Sequence, residues 1–151
     1  MIIENRLKEM GIELPDAAAP AAMYIPVRQA GNLLFVSGQL PKIGEKFVTG
    51  KAGKEVSLEE AQEAAKMCAI NIIAQVKTFL GDLDKVDCIV KLQAFVASET
   101  GFDKQHLVTN GASQLMFDVF GEAGRHARTA VAVNQLPLDA TVEIEAIIAI
   151  K

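Results

Sequence analysis

Residues 57–81 read SLEEAQEAAKMCAINIIAQVKTFLG, and this stretch decides how the rest of the chain is interpreted. Ser57 and Glu60 have the spacing of a capping box, in which the hydroxyl accepts from a helical amide and the carboxylate reaches back. Apolar residues then recur at helical spacing, and Gly81 is a typical left-handed helix end. The apolar positions are Ala61, Ala64, Ala65, Cys68, Ala69, Ile72, Val76 and Leu80. The stretch predicts a helix of about six turns with one apolar side.

The segments on either side of this helix have strand and helix patterns in turn. Alternation predicts strands, and spacings of three and four predict further helices. The predicted strands are 24–29, 32–37, 86–97, 127–134 and 140–150, and the other helices are 2–10 and 103–120, with a surface hairpin or loop at 42–56. We expect the first two strands and the last two strands to form hairpins, around Gly31-Asn32 and QLPLDA respectively. The order predicts an α+β domain over residues 1–151, with a mixed or antiparallel sheet and two helices on one face.

Composition supports one domain that also buries surface against other subunits. The chain has 151 residues, of which 50% are hydrophobic and only 5% aromatic, and its net charge is −4. Its mean hydropathy of +0.24 is high for a small soluble domain. Because the helices cover one sheet face only, we expect another copy of the chain to cover the other face.

Several classes of protein are excluded or disfavoured. Uncharged stretches end well short of the ~20 apolar residues that a membrane span requires. No secretory signal is visible, so we expect a cytoplasmic protein. An isoelectric point near 5.2 and the absence of a basic run disfavour nucleic-acid binding. His106 and His126 lack metal-ligand spacing, so we expect no metal site.

Arg128 is the first candidate functional residue. It shares one side of its strand with Ala130 and Ala132, so its guanidinium has space beside it and needs a carboxylate or phosphate partner. In VEIEAIIAI, Glu143 and Glu145 share the side opposite the apolar residues. Two interpretations are open at this point. Arg128 and a glutamate form a cross-strand ion pair, or Arg128 binds a ligand carboxylate while a glutamate orients water or takes a proton.

Other polar residues lie in apolar surroundings. Tyr24 opens the first strand, Ser37-Gly38-Gln39 ends a buried strand, and Asn110-Gly111-Ala112-Ser113 interrupts the pattern of the third helix with poor helix formers. Each of these also occurs commonly as a turn, a cap or a satisfied core hydroxyl.

Four segments together resemble a known family. They are GNLLFVSGQLP at 31–41, CAINIIAQVK at 68–77, IVKLQAFVAS at 89–98 and ARTAVAVNQLPLDATVEIEAI at 127–147. The chain resembles the Rid (YjgF-like) reactive-intermediate deaminases, also labelled endoribonuclease L-PSP or translation initiation inhibitor, over about residues 18–150. The first 17 residues form an N-terminal extension with a short helix, as in a longer branch of that family.

The resemblance implies a chorismate-mutase-like fold and a homotrimer with a central barrel and ligand clefts between subunits. Active members hydrolyse enamines and imines to 2-oxo acids and ammonia, without metal or cofactor. By position, Arg128 matches the arginine that clamps the substrate carboxylate and Glu143 the acid that positions water. Tyr24 and Ser37 match further cleft residues, and Asn110 matches the cleft asparagine if one residue is inserted before Arg128.

The chain departs from the family pattern at Ala130, where the deaminases carry a cysteine. With this exception, the resemblance implies an imine deaminase acting on a small carboxylate substrate. The alternatives are an endoribonuclease or translation inhibitor, and a trimer that binds small carboxylates without catalysis.

Overall fold

The computed structural model describes residues 1–20 and 22–151, which form three α-helices and a main sheet of five strands. The helices are α1 (Ile2–Glu9), α2 (Leu58–Leu80) and α3 (Gln105–Phe120). The strands are β1 (Val27–Ala30), β2 (Leu33–Gln39), β3 (Lys42–Ile43), β4 (Lys46–Phe47), β5 (Val86–Ala97), β6 (Ala127–Val133) and β7 (Val142–Ile150). Strands β3 and β4 form a separate small hairpin.

The main sheet has the order β1-β2-β7-β5-β6. All neighbouring pairs are antiparallel except β5 and β6, which run parallel. Residues that face the helices, such as Leu34, Leu92 and Ile144, are fully buried. The predicted α+β class, with a mixed sheet and two helices on one face, is therefore confirmed.

Helix α2 begins and ends as its sequence predicts. The Glu60 amide donates to Ser57 Oγ at 3.1 Å, and Glu60 Oε1 accepts from the Ser57 amide at 3.2 Å. Gly81 ends the helix with φ +78°, a conformation that glycine adopts without a Cβ penalty.

The predicted C-terminal hairpin is wrong. Strand β5 lies between β6 and β7, so the last two strands are not neighbours. The segment β5-α3-β6 is instead a parallel crossover, which requires a connection long enough to hold a helix. Residues 134–141 then return from the sheet edge to its centre through Leu138 and Asp139, whose φ values are +58° and +60°. Alternation identified both strands but did not indicate which strand each one pairs with.

The N-terminal extension and the residues that follow it, up to residue 20, are attached by several polar contacts. The amides of Ile2 and Ile3 donate to the Asp84 carboxylate at 2.8 and 2.9 Å. Farther along, the buried Gln75 side chain donates to the Ala18 carbonyl at 2.9 Å. Residues 1–20 are thus held against α2 and the turn before β5. No helix in the described part of the chain combines the length and apolar character that a membrane crossing requires.

Gly111 lets α3 approach α2 closely. A Cβ at this position would overlap the main-chain carbonyl oxygen of Gln62 on α2. The Gln62 side chain also donates to the Leu107 carbonyl at 3.0 Å, which fixes the two helices together at this point. The glycine that disturbs the helical pattern of α3 is therefore a packing requirement.

We predict that Gly111→Ala lowers the free energy of unfolding by about 1–3 kcal/mol, because the helices must separate. Helix propensity alone predicts the opposite sign, a gain of about 1 kcal/mol. Urea denaturation distinguishes the two. Glu63→Ala, at an exposed position of α2, is the control, with a change within about 0.5 kcal/mol. A Gly111→Ala protein more stable than the wild type would contradict the packing explanation.

Candidate active site

Arg128 lies on the edge strand β6 and points toward α3. Its neighbour across the parallel pair is Leu92 of β5, which is fully buried beneath the helices. Directly paired residues share a sheet face, so the half-buried Arg128 side chain lies on the helix side. A cleft of about 550 Å³ opens beside it, with Ser113, Phe117 and His126 among its walls.

One face of α3 holds the guanidinium. Arg128 Nη1 donates to Asn110 Oδ1 at 2.8 Å and to Ser113 Oγ at 3.1 Å, and Nη2 donates to the His106 carbonyl at 2.9 Å. Positions 106, 110 and 113 follow one another at helical spacing, so they present their acceptors along one line. These bonds use three of the five N–H groups of an arginine.

Arg128 has no carboxylate partner in residues 1–20 and 22–151. The cross-strand ion pair between Arg128 and a glutamate of β7 is therefore wrong. Two N–H groups remain, which is the number that a bidentate carboxylate requires. A guanidinium cannot lose its proton, so this half-buried charge favours an anionic ligand.

Glu143 lies on the opposite face of the sheet. Its neighbours Val142 and Ile144 are buried under the helices, so Glu143 faces the side that no helix covers. Burial raises the pKa of the Glu143 carboxyl, and the negative charge of Glu145 on the same side raises it further. Glu143 thus has the raised basicity that suits a group accepting a proton from water.

A β-bulge in β2 makes room for the Glu143 carboxylate. The register between β2 and β7 shifts between Val36 and Gln39, so that Ser37 and Gly38 together oppose Glu145. A Cβ at Gly38 would lie 2.5 Å from Glu143 Oε2. Bulges commonly re-aim side chains next to active sites, and here the glycine leaves the space that the carboxylate fills.

Tyr24 and Ser37 line a second, smaller cavity of about 190 Å³, which Gly38 also lines. The Ser37 hydroxyl donates to the Ile25 carbonyl at 2.9 Å, so its lone pairs are left to accept from a ligand or a water. Tyr24 is half exposed at the cavity mouth. Residues 18–20, which follow the N-terminal extension, form another wall.

The candidate residues therefore form two half-sites. The arginine half-site consists of Arg128 and Asn110. The glutamate half-site consists of Glu143, which lies against Gly38, and of the cavity that Gly38 lines together with Ser37 and Tyr24. The two are separated because Arg128 faces the helices on the edge strand while Glu143 faces away from them on an inner strand. One copy of the chain does not bring them together.

Sequence reasoning missed parts of the arginine half-site. The sequence pattern assigns no role in this half-site to His126, yet its Nε2 lies 2.9 Å from Ser113 Oγ. The interruption of the α3 pattern by Asn110-Gly111-Ala112-Ser113 was a usable signal, since both polar members of that stretch contact Arg128. The main-chain acceptor at His106 has no sequence signature.

Neither half-site contains a cluster with metal-ligand spacing among the described residues. Among the described residues, one cluster of carboxylates has such spacing, where the N-terminal extension meets the turn before β5. It consists of Glu4, Asp82 and Asp84. Lys77 Nζ lies 2.8 Å from Glu4 and the terminal amine of Met1 lies 2.8 Å from Asp84. Glu4 and Asp84 are thus already paired with cations and attach α1, and Asp82 accepts a hydrogen bond from the Asp84 amide.

Comparisons with known proteins agree with this architecture. The family model described as "YjgF/chorismate_mutase-like, putative endoribonuclease" matches residues 4–148. A crystal structure of a protein of unknown function from Agrobacterium tumefaciens has a TM-score of 0.93 and 53% sequence identity, covering 99% of this chain and 93% of that one.

Two sequence relatives extend the comparison. Protein TCP17 of Trypanosoma cruzi is 48% identical over 149 residues, which is 97% of this chain and 92% of that protein. The 2-iminobutanoate/2-iminopropanoate deaminase of Escherichia coli strain K12 is 32% identical over 131 residues, which is 85% of this chain and 90% of that protein.

We predict that Gly38→Ala moves the Glu143 carboxylate out of its half-buried position, because the new methyl group occupies the same space. The pKa of Glu143 then falls toward the ordinary glutamate value as solvent reaches it. Carbon-detected NMR titration of the Glu143 carboxyl measures this shift. Ser37→Ala is the matched control and leaves the titration in place. An unchanged titration in Gly38→Ala would contradict the packing of Glu143 on Gly38.

Proposed function

The chain belongs to the YjgF/chorismate-mutase-like family, and on that premise we propose that it hydrolyses small 2-imino or 2-enamino acids to 2-oxo acids and ammonia. The observation that carries the proposal is Arg128: a half-buried guanidinium, held at three N–H groups, with two groups left and no carboxylate partner in the described residues.

The substrate class follows from the geometry around Arg128. A two-point fork recognises the planar carboxylate of a 2-imino acid and fixes the direction of the neighbouring C=N bond. Ala130 and Ala132 on the same side of β6 leave space beside the fork. An aliphatic substituent of a few carbons suits such a space.

The reaction needs a positioned water more than a strong nucleophile, because an imine carbon is already electrophilic. Glu143 takes a proton from the water as its oxygen bonds to that carbon. The proton passes to the nitrogen and gives a carbinolamine. Its hydroxyl proton then moves to the amino group, again by way of Glu143, so that the C=O bond forms, the C–N bond breaks and ammonia leaves the 2-oxo acid behind. Holding the reactants in this arrangement supplies the main rate gain. Ala130 stands where the deaminases of the family carry a cysteine, so no thiol takes part at that position.

We also propose that the two half-sites meet between subunits of a homotrimer. The sheet face without helices exposes apolar side chains, including Phe35 and Val131, at 42% and 41% of their maximum. A second copy that covers this face would bury them and bring an arginine half-site toward a neighbouring glutamate half-site.

RNA cleavage, which the description of the family also names, has less support. The net charge is −4 and the chain has one Tyr and no Trp. Single-stranded RNA is usually held by basic grooves with stacked aromatic side chains. Binding of a small carboxylate without turnover is the remaining alternative, and the following experiment separates it from catalysis.

We predict that Arg128→Ala lowers kcat/KM for imine hydrolysis by about 100-fold or more, because the two-point carboxylate contact is lost. The assay supplies 2-aminoacrylate or 2-iminobutanoate from a dehydratase and follows its decay. Arg128→Lys keeps the positive charge but loses the two-point contact, so we expect its activity to lie between that of the wild type and that of Arg128→Ala. If wild type and Arg128→Ala clear the intermediate equally, Arg128 is no clamp. If the wild type binds 2-oxobutanoate but does not turn over the imine, the protein is a binder.

A second prediction concerns pH. Glu143 must be ionised to accept a proton, and its pKa is raised by burial and by Glu145, so activity falls as pH drops through that raised pKa. Glu145→Gln removes the like charge, lowers the pKa of Glu143 and moves the acidic limb of the profile to lower pH. Glu145→Asp keeps the charge and serves as the control. A limb that does not move in Glu145→Gln would show that another group controls it.

A further inference from the structure

A serine and a histidine lie directly behind the guanidinium of Arg128. Ser113 Oγ is 3.1 Å from Arg128 Nη1 and 2.9 Å from His126 Nε2. On the other side of the ring, His126 Nδ1 is 2.8 Å from the Gly124 carbonyl oxygen. The four groups form a continuous chain from the turn before β6 to the candidate ligand fork.

The direction of every bond in this chain follows from its ends. The Gly124 carbonyl can only accept, so Nδ1 carries the ring hydrogen and Nε2 of the neutral ring is an acceptor. The guanidinium can only donate. Ser113 must therefore donate its hydroxyl hydrogen to His126 and turn its lone pairs toward Arg128. Neutral His126 thus orients the hydroxyl, and the hydroxyl orients the guanidinium.

We propose that Ser113 and His126 are positioning residues for Arg128, and that His126 acts on the substrate carboxylate only through the Ser113 hydroxyl. The inference rests on the proposed function, in which Arg128 binds that carboxylate. It assigns to the arginine half-site two residues that neither touch the substrate nor contribute a charge to it.

The surroundings of His126 keep its ring in the neutral form that this chain requires. Its half-buried position lowers its pKa, while the hydrogen bond to Gly124 opposes that shift and the positive charge of Arg128 adds to it. Arg125, just before β6, also lines the cleft, and its Nε lies 3.7 Å from Glu122 Oε2. Helix α3 offers only uncharged side chains to this cleft, Ser113, Gln114 and Phe117.

The hydrogen-bonded series through His126 and Ser113 also explains why the guanidinium of Arg128 has a fixed orientation. Asn110 Oδ1 and the His106 carbonyl hold the guanidinium on one side. Without Ser113, one Nη1 hydrogen loses its acceptor, and the guanidinium can rotate toward solvent. A hydrogen bond to a charged group is typically worth a factor of ten or more in binding, so this loss is large enough to measure.

The test is a double-mutant cycle on 2-oxobutanoate binding, measured by calorimetry at pH 7.5, where His126 is neutral. Ser113→Ala and His126→Phe each weaken binding by about tenfold. The double variant is no weaker than Ser113→Ala alone, because His126 has no route to the ligand once the hydroxyl is gone. Ser113→Thr and His126→Gln, which restore a hydroxyl and an acceptor, recover affinity relative to Ala and Phe.

Two controls keep the result specific. Asp118→Asn, on an exposed position of the same helix and outside the walls of the cleft, leaves binding unchanged. Thermal denaturation of each variant shows whether it is folded at the temperature of the titration, and His126→Leu, which also lacks an acceptor, replaces His126→Phe in the cycle if that variant is not folded. Arg128→Ala, assayed in parallel, abolishes binding if the proposed function is right.

The outcomes separate the two claims. If the wild type binds 2-oxobutanoate and Arg128→Ala does not, but Ser113→Ala binds as the wild type does, the positioning role is overturned and the carboxylate clamp stands. If the losses of affinity in Ser113→Ala and His126→Phe add up in the double variant, His126 does not act through Ser113, and that part of the proposal is overturned. If the wild type does not bind at all, the clamp and the positioning role fall together.

Discussion

The candidate site depends on one half-buried side chain that is always positively charged. Arg128 cannot lose its proton, so the fold around it has to supply acceptors. It does so with one face of α3, where Asn110, Ser113 and the His106 carbonyl all accept from the guanidinium. The parallel crossover from β5 through α3 to β6 is what places that helix face above the arginine. Gly111 then allows the same helix to pack closely on α2.

The second constraint is the alternation of side chains across a sheet. Arg128 and Glu143 stand on different strands and on opposite faces, and β5 lies between them. No change of rotamer within one copy can bring their charged ends into one pocket. Two consequences follow from this separation. Glu143 acquires its raised pKa on the uncovered face, independently of Arg128, and the proposed site, which uses both residues, has to form between two copies of the chain.

The sequence predicted the secondary-structure elements better than it predicted the pairing of the strands. The sequence correctly predicted the capping box of α2, the first hairpin and the α+β class, because each depends on local residues. The family resemblance, carried by segments such as GNLLFVSGQLP, is confirmed by the comparisons. Pairing of the last two strands was wrong, because alternation around Arg128 and Glu143 specifies a face and not a neighbour. The links from His126 and Ser113 to Arg128 depend on how α3 sits over β6, which no spacing along the chain encodes.

The central claim is that each cleft combines Arg128 of one subunit with Glu143 of another, and co-assembled variants test it most directly. Subunits carrying Arg128→Ala and subunits carrying Glu143→Gln are mixed so that they form mixed trimers, and imine hydrolysis is measured. If the cleft lies between subunits, about a quarter of the clefts regain both groups and activity returns in the mixture, although each variant alone is inactive. Mixed trimers no more active than either pure variant would show that the two groups do not meet across the interface.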